Sequence, residues 1–388
     1  MNGAVLQVSR STVGFIQRGH PWVRPDRFTV GLEGLRVGQV VTLVDDRGRG
    51  LASALVEPDG EVCARVFHRL PGKAFDPAAA IARAWARRAA LHADPATDCY
   101  RVVHGEADYL PGLRVERYGD ALVVVVFSAC IQPYLDGVLA GLAAVAPSLR
   151  IVVKDHRDDL RRAAVATRWA AGGQPDPETI VTGRELGCTF PLRPLGGLAT
   201  GLYVDQRATR SWLRPQVAGK RIVNLFAYTG AFSISLLAAG AASAVDVDLA
   251  APALTRASEA AALNGLAERH RTVHSDCRRF LVDSTAQFDV AIVDPPTAAQ
   301  GADGWIARRD YPALLDALLP RLAPQALVLL CSNTLGGKPL DVEALLADAA
   351  RRQGRACTVV TPPALGEDLP ALKGFPEGVP YRLAVMRL

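Results

Sequence analysis

Arg221-Ile222-Val223-Asn224-Leu225-Phe226-Ala227-Tyr228-Thr229-Gly230-Ala231-Phe232 is the stretch whose reading decides the fold. A short apolar strand, Ile222–Phe226, enters a turn with a single glycine and runs on into an apolar helix, Ala231–Ala239. The alternation continues: Ala242–Val247, helix Ala251–Asn264, His270–His274, Phe288–Val293, helix Tyr311–Leu322, Ala326–Leu330 and helix Val342–Arg352. Apolar strands separated by helices predict an α/β fold with a doubly wound, mostly parallel sheet covered on both faces. Ligands of such sheets sit at the carboxyl ends of the strands. In this chain that edge collects the Phe226–Gly230 turn, Asp248, Asp276, Asp294-Pro295-Pro296 and Cys331.

The glycine pattern is not G-x-G-x-x-G, so the backbone cradle of a pyrophosphate is missing and a dinucleotide is disfavoured. Gly230 is read as the small residue that lets backbone approach a ligand over a helix N-terminus. Asp248, 18 residues further on, stands where a carboxylate accepts both hydroxyls of a ribose. Asp276 ends the third strand and suits an exocyclic amine. Taken singly, either acid could simply cap the element that follows it. In order at successive strand ends, the three positions point to an adenosine without pyrophosphate, such as S-adenosylmethionine.

Upstream the composition changes. Residues 1–72 carry short alternating runs (Val40–Val44, Leu51–Val56, Val62–Phe67) and read as a small all-β module. Residues 73–178 read as an α+β domain: helix Asp76–Asp94 with Asp76 as cap, strands Leu113–Arg117 and Ala121–Phe127, helix Tyr134–Val145 and strand Arg150–Lys154. Residues 179–388 form the third domain, entered through a hairpin over 182–205 and a helix beginning at Gln206.

The chain has 388 residues, of which 49% are hydrophobic and 21% charged, which excludes global disorder. Its net charge of +5, carried by 39 arginines against five lysines, permits an anionic partner without demanding one. The longest apolar run, Ala121–Ile131, is far short of a membrane span. Seven singly placed cysteines, with no CxxC pair and no histidine cluster, argue against a metal site and for reduced thiols in the cytoplasm. A homodimer is compatible with the chain but is not fixed by it.

If the strands ending in Asp294 and Cys331 pair in parallel, carboxylate and thiol face one pocket. Carbon 5 of cytosine is too weak a nucleophile for a sulfonium methyl until a thiolate adds to carbon 6. Cys331 would be that nucleophile, with Asp294 holding the N3/N4 edge of the base. The bland alternative is a small buried residue at a strand end.

His20-Pro21-Trp22-Val23, the segments Tyr100–Val103 and Gly105–Gly112, Thr200-Gly201-Leu202-Tyr203-Val204-Asp205-Gln206-Arg207, Asn224–Gly230 and Asp294-Pro295-Pro296 occur in that order. Together they resemble the class I (Rossmann-like) S-adenosylmethionine-dependent methyltransferases with an N-terminal PUA-like domain, the RlmI type that methylates carbon 5 of a cytosine in 23S rRNA. The resemblance implies that Phe226, Tyr228, Thr229, Gly230, Asp248, Asp276, Asp294 and Gln206 bind the cofactor. It implies that Arg207, Pro295 and Pro296 meet the RNA substrate, and that residues 1–72 dock RNA. Asp294-Pro295-Pro296-Thr297 and Ser332-Asn333 also resemble rRNA guanine methyltransferases that use no thiol. A third reading is an RNA-binding protein with a non-catalytic methyltransferase fold.

Overall fold

The computed structural model describes residues 3–157, 165–299, 304–333 and 339–388. The chain divides into two compact units. The first comprises Met1–Gly183, Leu192–Thr200 and Gly366–Gly378, and the second Arg184–Pro191, Gly201–Leu365 and Val379–Leu388.

The first unit holds two five-stranded sheets. Ala4–Gln7, Val40–Val44, Gly50–Val56, Ala64–His68 and Trp22–Val23 lie side by side in that order. One helix, Arg10–Gln17, accompanies them, capped by the Ser9 side chain, which accepts from the Thr12 N–H. The second sheet runs Ala166–Trp169, Arg150–Asp155, Ala121–Val126, Leu113–Tyr118, Cys99–His104. The helix expected over Asp76–Asp94 is two, Pro77–Arg87 and Ala89–Ala93. It breaks at Arg88, whose side chain is fully buried and grips both oxygens of Asp108 at 2.8 and 2.7 Å. A buried charge pair of this kind is local chemistry that apolar periodicity does not register.

The second unit is built on a seven-stranded sheet. Its strands are β1 Arg221–Leu225, β2 Ser243–Asp248, β3 His270–His274, β4 Phe288–Val293, β5 Leu322–Ser332, β6 Thr358–Val360 and β7 Arg382–Arg387. The order is β3-β2-β1-β4-β5-β7-β6, with β7 antiparallel to both β5 and β6 and the remaining pairs parallel. A short helix, Arg207–Leu213, precedes β1, and the helices after it are α1 Ala231–Ala238, α2 Ala251–Leu263, α3 Cys277–Asp283, α4 Ala307–Leu318 and α5 Val342–Arg352. The strand order reverses direction between β1 and β4, the switch point where doubly wound sheets open a crevice. One face of β1, β4 and β5 (Val223, Leu225, Ala291, Val293, Val328, Leu330) packs on Tyr311, Leu314 and Leu318 of α4 and Leu346 of α5, all buried. That packing fixes the heights at which the strands end, and so the site.

Two expectations are revised here. The last parallel strand is Leu322–Ser332, not Ala326–Leu330, because the antiparallel β7 pairs along it from Leu327 to Ser332. Cys331 therefore lies inside a strand, opposite Leu383. The hairpin ends at Leu192, with strands Val181–Glu185 and Cys188–Leu192.

Candidate active site

A cavity of about 450 Å³ opens at the carboxyl edge of the second unit's sheet, within the size range of small-molecule sites. Phe226, Tyr228 and Thr229 line it from the turn after β1, Asp248 from the end of β2, Asp276 after β3 and Asp294 and Pro296 after β4, with Gln206 beside them. The wall also includes Tyr203, Asp205, Asn224, Trp305, Asn333 and Tyr381, none of which the sequence reading had named as site residues. Asn224 had a visible signal, a polar residue inside an apolar strand. Asp205 sat unused beside Gln206. Tyr381 gave none, because its neighbours reach the site only through the antiparallel β7.

The turn after β1 is bent in an unusual way. Phe226 and Tyr228 both have positive φ, 60° and 52°. For bulky aromatic residues this is a strained conformation, of a kind that clusters at ligand sites. The Asp248 carboxylate holds it, accepting the Tyr228 N–H at 2.8 Å on one oxygen and the Ala250 N–H at 2.8 Å on the other. A carboxylate offers about four lone-pair sites, so Asp248 keeps capacity for ribose hydroxyls.

Gly230 is not on the cavity wall. Its φ is +71°, and a Cβ there would stand 2.2 Å from Asp246 Oδ2 and 2.9 Å from the Ala257 Cβ. Asp246 is fully buried. It accepts from Asn224 Nδ2 at 2.8 Å and from the Ser233 hydroxyl, and pairs with His270 Nε2 at 2.7 Å. The glycine makes room for this polar knot under the turn.

Asp276 caps α3 through the Arg278 and Arg279 N–H groups, and it also lines the cavity. Burial works against its charge, but the Arg278 guanidinium 2.8 Å away and the capping N–H groups hold its carboxyl below the usual range.

Beyond Asp276 the cavity floor changes character. Burial, and then the neighbouring Asp205 carboxylate, push the Asp294 carboxyl up to about 7. Gln206 Nε2 lies 3.4 Å from Asp294 Oδ2 and 3.4 Å from Cys331 Sγ, tying strand ends β4 and β5 together. Cys331 has no exposed surface and is not on the wall. Burial first, and then the charge of Asp294, push its thiol well above the ordinary range. Two acceptors of this group, Gln206 Oε1 and Asp294 Oδ1, are buried without a hydrogen-bond partner. An unpaired buried acceptor costs about 1–3 kcal/mol, so the floor is built for donors that a ligand brings. Pro295 and Arg207 lie off the wall. Among the described residues no group of side chains could hold a metal ion, and no helix is long and apolar enough to cross a membrane.

Residues 129–365 match the S-adenosylmethionine-dependent methyltransferase family, and residues 6–69 match a PUA-like domain. The chain belongs to the S-adenosylmethionine-dependent methyltransferases. A Deinococcus radiodurans protein named ribosomal RNA large subunit methyltransferase is 34% identical over 370 residues, covering 90% of this chain and 89% of that one. A Klebsiella pneumoniae protein named ribosomal RNA large subunit methyltransferase I is 30% identical over 377 residues, covering 93% and 92%. A solved structure described as a methyltransferase complexed with SAH shares the fold with a TM-score of 0.84 at 20% identity, over 99% of this chain and 100% of that one. The methyltransferase cavity fits the family's cofactor in its chemistry: the Asp248 carboxylate has lone pairs to spare for hydroxyl groups, Phe226 and Trp305 give aromatic walls, and unpaired buried acceptors lie at its floor.

Proposed function

We propose that this methyltransferase modifies large-subunit ribosomal RNA, and that its target is carbon 5 of a cytosine. The RNA class is supported by the names of the relatives and by the PUA-like domain, which we assign to RNA docking. The base is argued from one observation: a thiol, a carboxyl near neutrality and an amide cluster at the adjacent ends of β4 and β5. Of the two reactions weighed, only attack at carbon 5 of a pyrimidine has a use for a thiol there.

In this reading Phe226, Tyr228, Thr229, Asp248 and Asp276 hold the cofactor, Gly230 shapes the turn, and Arg207 and the exposed Pro296 face the RNA, while Pro295, which is buried, stiffens the strand end behind them. When bound, S-adenosylmethionine supplies an electrophilic methyl group. Burial keeps Cys331 a neutral thiol until a base is seated. Asp294 then takes the thiol proton and, as an acid, donates to N3 of the cytosine. The thiolate adds to carbon 6, and carbon 5 becomes nucleophilic.

A second reading, guanine methylation without a thiol, is favoured by the complete burial of Cys331 behind the wall. RNA carrying 5-fluorocytidine separates the two. Fluorine replaces the proton that must leave, so the cytosine enzyme is trapped covalently on a denaturing gel, and Cys331→Ala gives no adduct while binding S-adenosylmethionine normally. No adduct with the parent, together with Cys331→Ala turnover above about a tenth of the parent rate, a barrier change of only about 1.4 kcal/mol, overturns the cytosine reading.

A further inference from the structure

The cytosine reaction needs one more group than the cluster above supplies. After methyl transfer, carbon 5 carries both the methyl group and its original hydrogen. That hydrogen must leave as a proton before the thiolate can be expelled. Asp294 is engaged at N3, and Cys331 is bonded to carbon 6, so neither is available.

Asp205 lies on the same cavity wall and is half-buried, neither sealed off nor fully solvated. It sits in the short turn Val204–Gln206, directly before the glutamine that bridges Asp294 and Cys331. Its charge is felt at both of those groups, raising the carboxyl of Asp294 and the thiol of Cys331. Arg210 lines the cavity too: its fork grips Glu185 at 2.6 and 2.7 Å and the Tyr203 carbonyl at 2.8 Å, and it feels the charge of Asp205 as well. Tyr381 donates to the Asp205 carbonyl at 3.3 Å and so pins the backbone of this turn.

Two carboxyl groups lining one cavity disfavour each other's charge. Burial and this coupling bring the Asp294 carboxyl to about 7, where it can take up the thiol proton and pass one on to N3, and they leave a second carboxyl, Asp205, on the same wall.

We propose that Asp205 is the general base that removes the carbon-5 proton. The assignment rests on the cytosine reading above. In the release step the Asp205 carboxylate takes the proton. The C5–H electron pair forms the C5=C6 double bond, the C6–S bond breaks, and Cys331 leaves as a thiolate. N3 returns its proton to Asp294, and Asp205 later loses its own to water. No oxidant, reductant or further reactant is required.

The test uses the full-length protein, S-adenosylmethionine and an unmodified large-subunit rRNA transcript. Asp205→Asn keeps the shape of the side chain and removes its basicity. The expected result is one methyl group transferred per enzyme, followed by a covalent protein–RNA complex that is visible on a denaturing gel without any fluorinated base. Its decay should be at least 100-fold slower than parent turnover, since a positioned base contributes about 10²–10⁴. Cofactor affinity by calorimetry should stay within a few-fold of the parent, and Asp205→Glu should restore release.

Normal turnover by Asp205→Asn with no adduct overturns the assignment. So does loss of cofactor affinity in Asp205→Asn that Asp205→Glu recovers without any adduct in either variant, because Asp205 then holds the cofactor. If Asp205→Asn fails to fold, Asp205→Glu decides: a folded Glu variant with parent-like cofactor affinity but no turnover and no adduct overturns the assignment, and one that turns over supports it. A parent protein that 5-fluorocytidine RNA does not trap signals a separate failure, that of the cytosine reading itself.

Discussion

Replacing Gly230 with alanine tests why the signature turn carries a glycine. If the residue only opened a path for the cofactor, the cost would fall on binding. The geometry places it on folding instead. An alanine at φ +71° pays about 1–2 kcal/mol for left-handed backbone. Its Cβ would also press on Asp246 Oδ2 at 2.2 Å and on Ala257 at 2.9 Å. Asp246 cannot retreat without loosening its bonds to Asn224, Ser233 or His270, and a bond to a charged group is worth about 1.5–3 kcal/mol. The total is about 2.5–5 kcal/mol. Gly219 is the control: its φ is +70°, and nothing lies within 4 Å of its Cβ position, so Gly219→Ala pays the backbone cost alone. Calorimetric melting reads the difference, on the transition that rises when S-adenosylmethionine is added. At about 2–4 °C per kcal/mol for a unit of this size, Gly230→Ala should melt roughly 3–12 °C below Gly219→Ala. Equal melting points for the two variants would refute the packing argument.

Asp248→Ala should lose at least about 100-fold in S-adenosylmethionine affinity by calorimetry, since two bonds to a charged group are removed; binding within a few-fold of the parent would place the ribose elsewhere. The Asp294 carboxyl, raised from 3.8 to about 7, binds a proton more tightly in the folded chain than in the unfolded one. Its contribution to stability is present below about pH 4 and is lost as pH rises toward 7. Urea titrations of Asp294→Asn should lack that decline, and an unchanged slope between pH 4 and 7 would show that another group causes it.

The parallel core of the second unit was legible because its central strands β1, β4 and β5 are apolar runs buried on both faces and helices such as α4 and α5 carry an apolar stripe, so periodicity and composition agree. The parts that escaped share a physical cause. The strand Arg382–Arg387 is only four apolar residues between two arginines, too short a run to tell strand from buried loop, and its pairing with Leu322–Ser332 makes it structure. The short helix Cys277–Asp283 spans under two turns, too little for a period to show; its one signal is the cap at Asp276, a position that suits a ligand contact equally well. The break at Arg88 depends on Asp108, twenty residues away.

The site divides in the same way. The acids at strand ends, Asp248, Asp276 and Asp294, could be placed on one cavity because a parallel sheet brings its carboxyl ends to one edge. What each of them does depends on neighbours that no strand rule supplies. Asp294 is an acid near neutrality only because Asp205 and burial surround it, and Asp205 arrives from a turn before the first strand of the sheet. Cys331 makes the same point from the other side. Its position at the edge was readable, but a thiol one residue inside a strand, bridged by Gln206 and covered from solvent, is chemically unlike an exposed thiol at a strand end. Burial of that depth suits a nucleophile that reacts only once a base has been seated and its proton has an acceptor. The same burial would suit a packing residue. The two differ in whether a covalent bond to carbon 6 forms, and so the fluorinated RNA, rather than any measure of stability, decides between them.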